Sequence, residues 1–129
     1  MAHSIVSLSN AAMFTFLFCP LMGTLALFRP GLFVEKMFAY PIQEPAARTA
    51  ASGLAQLFGV RDIFMGCAAF AVWYKDDRKM LGVLVLLSAA VAVVDGVAQT
   101  RVTGGGTGWK HWWLVPVLVG MGAGLVGVV

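Results

Sequence analysis

The sequence predicts an all-α protein, a four-transmembrane-helix bundle forming a single integral membrane domain over residues 1–129. Three observations predict it. Of 129 residues, 60% are hydrophobic and only 12% are charged, where a soluble domain carries roughly a quarter. Four apolar runs are each long enough to cross a hydrocarbon core about 30 Å thick, which takes about 20 helical residues. None of the runs alternates polar and apolar residues as a strand would, and helices satisfy every backbone group within the segment. This composition excludes a nucleic-acid module, an acidic tail and a disordered linker. The net charge of +3 bears on loop orientation more than on any polyanionic partner.

The first span, Ala11–Phe28 within a helix expected over 10–28, contains no Asp, Glu, Lys or Arg. Its leader MAHSIVSLSN has no Lys or Arg, and the run is too long for an ordinary cleaved signal, so the helix is expected to be retained. The second, Thr49–Tyr74 within a helix over 46–74, is interrupted by Arg61 and Asp62. The third, Met80–Thr100 within 78–100, carries Asp95. The fourth, His111–Val129 within 109–129, is again free of Asp, Glu, Lys and Arg. Pro20 and Pro116 are expected to bend the first and fourth spans and to free a carbonyl in each.

The connections differ in character. Arg29 to Arg48 holds Pro30, Gly31, Pro41 and Pro45 around the apolar run Leu32, Phe33, Val34, Met37, Phe38 and Tyr40. Such a segment is expected at the membrane interface or folded over the bundle mouth. The tight charged turn Lys75–Lys79 makes spans two and three antiparallel neighbours. The glycine-rich loop Arg101–Lys110 returns to the side of the first connection. Lys and Arg outside the spans number five on that side (Arg29, Lys36, Arg48, Arg101, Lys110) and three on the other (Lys75, Arg78, Lys79), which favours the two larger loops as cytoplasmic.

Small residues mark packing faces: Gly120 and Gly124 in the last span, Gly59 and Gly66 one heptad apart in the second. Contact within the bundle is the simpler expectation, and self-association through these glycine faces is the other. Cys19 and Cys67 both fall inside spans, and no Cys or His spacing indicates a metal.

Chemistry is expected where charge enters the membrane. An ionised side chain at the bilayer centre costs roughly 3 kcal/mol on insertion scales, so such residues are rare and face inward. With the apolar core of the second span starting at Leu54, Arg61 and Asp62 lie about 11 Å deep and Asp95 about 9 Å from Arg101, one layer near the larger loops. At 100° per residue, Arg48, Ser52, Gly59 and Asp62 share a stripe, as do Ser88, Asp95 and Gln99. His111 with Trp109, Trp112 and Trp113 belongs to the same rim. Two buried carboxylates and an arginine can work as proton donor and acceptor, as opening a strained ether such as an epoxide requires. No cofactor is needed, and no phosphate loop, nucleophile elbow or HEXXH helix is present.

A second helix with Gly59-Val-Arg61-Asp62, a third with Asp95 and a fourth opening at His111 resemble a family of small fungal four-helix membrane proteins. That family includes polyketide-cluster epoxide hydrolases and cyclases of the aurovertin and citreoviridin type. The resemblance implies epoxide opening on a lipophilic polyketide-like secondary metabolite at an intracellular membrane, the endoplasmic reticulum. It implies catalytic Asp62, Asp95, Arg61 and His111. Gln99, Trp109, Trp112, Trp113, Tyr40, Arg48 and Ser88 are the expected substrate contacts. The expected partners are that small molecule and membrane lipid, with no nucleic acid. Two other readings stay open: a scaffold or assembly protein whose intramembrane ion pair is structural, and a small transporter or channel subunit using the charges as a relay.

Overall fold

A computed structural model describes residues 2–38, 42–104 and 109–127, with side chains described within 8–36, 42–104 and 111–127. Helix is the regular structure throughout the described residues: α1 (Ala2–Phe28), α2 (Pro30–Phe33) running into a π-helical turn at Val34–Phe38, α3 (Pro45–Tyr74), α4 (Arg78–Thr103), α5 (Trp109–Trp112) and α6 (Leu114–Val126). Among the described residues, three stretches are long and apolar enough to cross a membrane: Leu8–Phe28, Pro45–Tyr74 and Arg78–Thr103. α6 is apolar but has 13 residues, about 20 Å of rise.

The helix limits follow from local chemistry. α3 begins where expected because Pro45 occupies its first turn, where a missing N–H is harmless, and the Glu44 carboxylate accepts from the N–H groups of Ala46 and Ala47. Asp77 caps α4 by accepting from the Met80 N–H at 3.0 Å. Between them Asp76 takes a left-handed backbone at φ 53°, a conformation that Asp tolerates in turns. α4 runs three residues past the expected end at Thr100. Gly104 is the residue able to adopt the left-handed cap (φ 62°), and its N–H returns to the Thr100 carbonyl.

The single helix expected over 109–129 is instead two. Proline at 116 has no N–H to give the Trp112 carbonyl, and its ring crowds that same carbonyl, so the chain breaks into a turn at Trp113 and restarts at Leu114 with Pro116 in the new first turn. α1 differs: Pro20 sits inside an unbroken helix.

The chain forms two compact units. One is Met1–Thr15 with Ala69–Val129; the other is Phe16–Ala68. In the first, α6 and α5 pack on α4, around buried Leu81, Val85, Ala89, Ala92, Leu118 and Leu125. Gly82 and Gly122 make the tight approach. A methyl on Gly82 would lie 3.0 Å from the Gly122 carbonyl oxygen, while Gly120, expected to pack, meets nothing within 4 Å. In the second unit α1 and α3 touch backbone to backbone. A methyl on Gly23 would lie 2.5 Å from the Gly59 carbonyl oxygen, and one on Gly66 would lie 2.5 Å from Pro20 Cδ. The segment after α1 folds back on this pair, with Phe33 and Val34 buried against Ala26 and Ala55.

Outward faces are apolar as well. Phe14, Phe64 and Leu87 are 77%, 72% and 58% exposed, a distribution that a lipid surrounding accommodates and water does not.

Candidate functional site

In the Phe16–Ala68 unit the charged residues of α3 meet each other. Arg61 donates from Nε and Nη2 to Asp62 Oδ1 at 3.1 and 3.0 Å. Its guanidinium also covers the Phe58 ring at 4.8 Å from the centroid, a cation–π contact between residues three apart on one helix face. The pair is part-buried, with side chains 34% and 20% exposed. Pro45–Tyr74 is a helix of 30 residues, so Arg61 sits about 24 Å of helical rise from its start and about 20 Å from its end. The charges therefore occupy the middle of the helix. The close approach of Gly66 to Pro20 of α1 lies one turn beyond Asp62.

In the other unit Asp95 is half-buried on α4 and Gln99, one turn on, is buried with 4% exposure. Gly96 lies between them, and its lack of a side chain lets α5 settle there. A methyl on Gly96 would meet His111 Cβ at 3.1 Å and the Trp112 indole at 3.4 Å. His111 and Trp112 are thus seated on the stretch of α4 that carries Asp95 and Gln99. Of the expected site residues, these four come to one neighbourhood, and Arg61 with Asp62 form the second.

The remaining expectations fare unevenly. Ser88 gives its hydroxyl to the Leu84 carbonyl of its own helix at 2.8 Å, a local bond that leaves it no donor for a substrate. Arg48 donates from Nε and Nη2 to the Ile42 carbonyl, and lies 14 residues from Asp62 on the same helix, about 21 Å of rise. Trp113 is exposed in the turn between α5 and α6. Tyr40 lies outside the described residues, as does the Trp109 side chain. Phe58 was missed by the sequence reading, though its position three residues before Arg61 is a usable signal. Gly96 gave no such signal, because only the return of the chain after the glycine loop brings His111 to it. No group of three or more His, Cys, Asp or Glu able to hold a metal occurs among the described residues.

Residues 16–125 match the family described as a domain of unknown function, DUF4267. The chain belongs to the DUF4267 family. All three long helices contribute to the matched stretch, as do the Arg61–Asp62 pair and the Asp95, Gln99 and His111 group, so every feature built above lies inside the DUF4267 domain. No curated protein and no solved structure matches this DUF4267 chain.

Proposed function

We propose that this DUF4267 chain is a multi-pass protein of the endoplasmic reticulum membrane that opens an epoxide on a lipophilic polyketide-like substrate without a cofactor. α5 and α6 together provide the fourth crossing. The 18 residues from Trp109 to Val126 rise about 27 Å, close to the thickness of the core, where α6 alone falls short.

The observation that carries the reading is the Arg61–Asp62 pair at the middle of a long apolar helix. These residues are consecutive on α3, and the Arg61 guanidinium orients the Asp62 carboxyl within an apolar span. Charge at that depth costs free energy, and an oriented carboxyl there supports a chemical role. Asp62, oriented by Arg61, is the proposed acid–base carboxyl, and Asp95, beside Gln99 and His111 in the other unit, is the second candidate for the same work. The protonated carboxyl gives its proton to the epoxide oxygen as the carbon–oxygen bond breaks. The carboxylate so formed takes a proton from water or from a substrate hydroxyl, whose oxygen forms the new bond to carbon. That proton restores the resting carboxyl, so the net change is addition of water or isomerisation.

The test uses the full chain purified in detergent with a lipophilic polyene epoxide, run in ¹⁸O-labelled water. The wild type should yield a diol carrying label, or an unlabelled cyclic ether if an internal hydroxyl attacks. Asp62→Asn should slow product formation by about 10²-fold or more, as loss of an acid–base group does, and Asp95→Asn gives that loss instead if the second candidate is the working carboxyl. Turnover retained by both variants overturns the assignment.

A further inference from the structure

A separate cavity lies at the opposite end of α3 from Arg48, within the unit formed by Met1–Thr15 and Ala69–Val129. It has a volume of about 280 Å³ and is lined by Ser9, Asn10, Trp73, Tyr74 and Asp76. This is the small end of ligand-site volumes, suited to a headgroup rather than to an extended metabolite. Its polar groups have a definite polarity. Trp73 Nε1 donates to Asn10 Oδ1 at 3.0 Å, which fixes the indole against α1. Ser9 is 6% exposed and its hydroxyl has no hydrogen-bond partner among the described residues, an unmet bond at the buried edge of the cavity. Phe70 stacks on Tyr74 and lies tilted against Trp73, with centroids 6.3 and 5.9 Å apart, backing the aromatic wall. Asp76, 78% exposed by side chain, supplies a carboxylate at the rim. Arg78 Nε pairs with one of its oxygens at 3.3 Å, and no Lys or Arg among the described residues lines the cavity itself.

Aromatic faces beside a carboxylate attract an organic ammonium group. The ring quadrupoles and the anion act in the same direction, and a quaternary ammonium, with no N–H to be hydrated, has little hydration to lose. Arg78 engages only one Asp76 oxygen, and among the described residues no cation lines the cavity to draw an anionic guest. The cavity also sits where α3 passes from its apolar run into the charged turn Lys75–Lys79, which is headgroup depth if the chain spans the membrane as proposed above. We propose that this cavity binds an organic ammonium group, carried by the headgroup of a zwitterionic phospholipid or by a free small amine. Ser9 and Asn10 meet the guest's oxygen atoms, and Trp73, Tyr74 and Asp76 meet its cation. The site is independent of Asp62 and Asp95 and makes no use of epoxide chemistry.

The experiment is native mass spectrometry of the full chain released from an uncharged maltoside detergent. In one arm it carries phosphatidylcholine or phosphatidylglycerol of matched acyl chains, and in the other choline chloride. Preferential retention of phosphatidylcholine supports the headgroup source, and choline adducts without lipid preference support the free amine. Asp76→Asn and Trp73→Leu should each lower the retained fraction at least fivefold, while Trp73→Phe, which keeps a ring, lowers it less. Far-UV helicity unchanged from wild type establishes that each variant is folded. Equal or stronger retention of phosphatidylglycerol with no choline adduct, or insensitivity to Asp76→Asn in a folded variant, overturns the proposal. Loss of epoxide opening in Asp62→Asn leaves this readout untouched, so the two readings fail separately.

Discussion

Arg61 and Asp62 put two opposite charges side by side in the middle of an apolar helix. Removing one of them takes away part of the other's charge compensation, and such losses are large when burial is deep. The side chains here are partly exposed, so Arg61→Gln should destabilise by about 2 kcal/mol, below the range for fully buried pairs. The double variant Arg61→Gln with Asp62→Asn removes both charges and should recover most of that loss while remaining inactive. Unfolding in mixed detergent micelles measures the first quantity and product formation the second. A double variant that regains activity would show the pair to be structural. Sequence alone located these residues because a charge inside an apolar run is conspicuous. It did not reveal their contact with each other over any other, since consecutive residues on a helix diverge by 100° and only the long guanidinium stem, lying along Phe58, bends back to Asp62. Ser88 and Arg48 illustrate the converse. Their polarity placed them on the right stripes, yet each is consumed by a nearby carbonyl, Leu84 and Ile42 respectively, a use that helical periodicity does not report.

The elements themselves were largely legible. The limits of α3 and α4 were written in Pro45 and the charged turn, where capping and chain reversal require particular residue types. Pro116 was visible too. The break it causes falls four residues earlier, at the carbonyl it cannot serve, and so the fourth helix divides at Trp113. Glycine faces were harder to read, because a small residue signals close approach without naming its partner. Gly59 and Gly66 do meet α1, whereas in α6 the contact belongs to Gly122 and Gly124 and leaves Gly120 open. These assignments predict a contrast. Gly23→Ala or Gly59→Ala forces a methyl against a backbone carbonyl that has no flexible end to move, and should cost about 1–3 kcal/mol. Gly120→Ala should be within about 0.5 kcal/mol of wild type or slightly stabilising, since alanine is the better helix former and nothing stands in its way. Thermal inactivation of the purified protein in one detergent, compared across the three variants, checks the order.

For the molecule as a whole, the low charge content that first indicated lipid as the solvent agrees with the helices' apolar outer faces, and the four crossings proposed above predict a topology that can be measured. In a Cys19→Ser, Cys67→Ser background, single cysteines introduced by Gly31→Cys and Val102→Cys should react with a membrane-impermeant maleimide from one face of sealed vesicles. Those from Asp77→Cys and Val126→Cys should react only from the other. Labelling of Val126→Cys from the Val102→Cys face would mean that α5 and α6 re-enter rather than cross. The Gly23–Gly59 seam bears on how anything lipophilic reaches the charges. Two backbones that leave no room for one methyl leave none for an acyl chain. This side of the α1–α3 pair is therefore closed to lateral diffusion from the bilayer, and a greasy guest bound for Arg61 and Asp62 must arrive by another face of α3 or from the water.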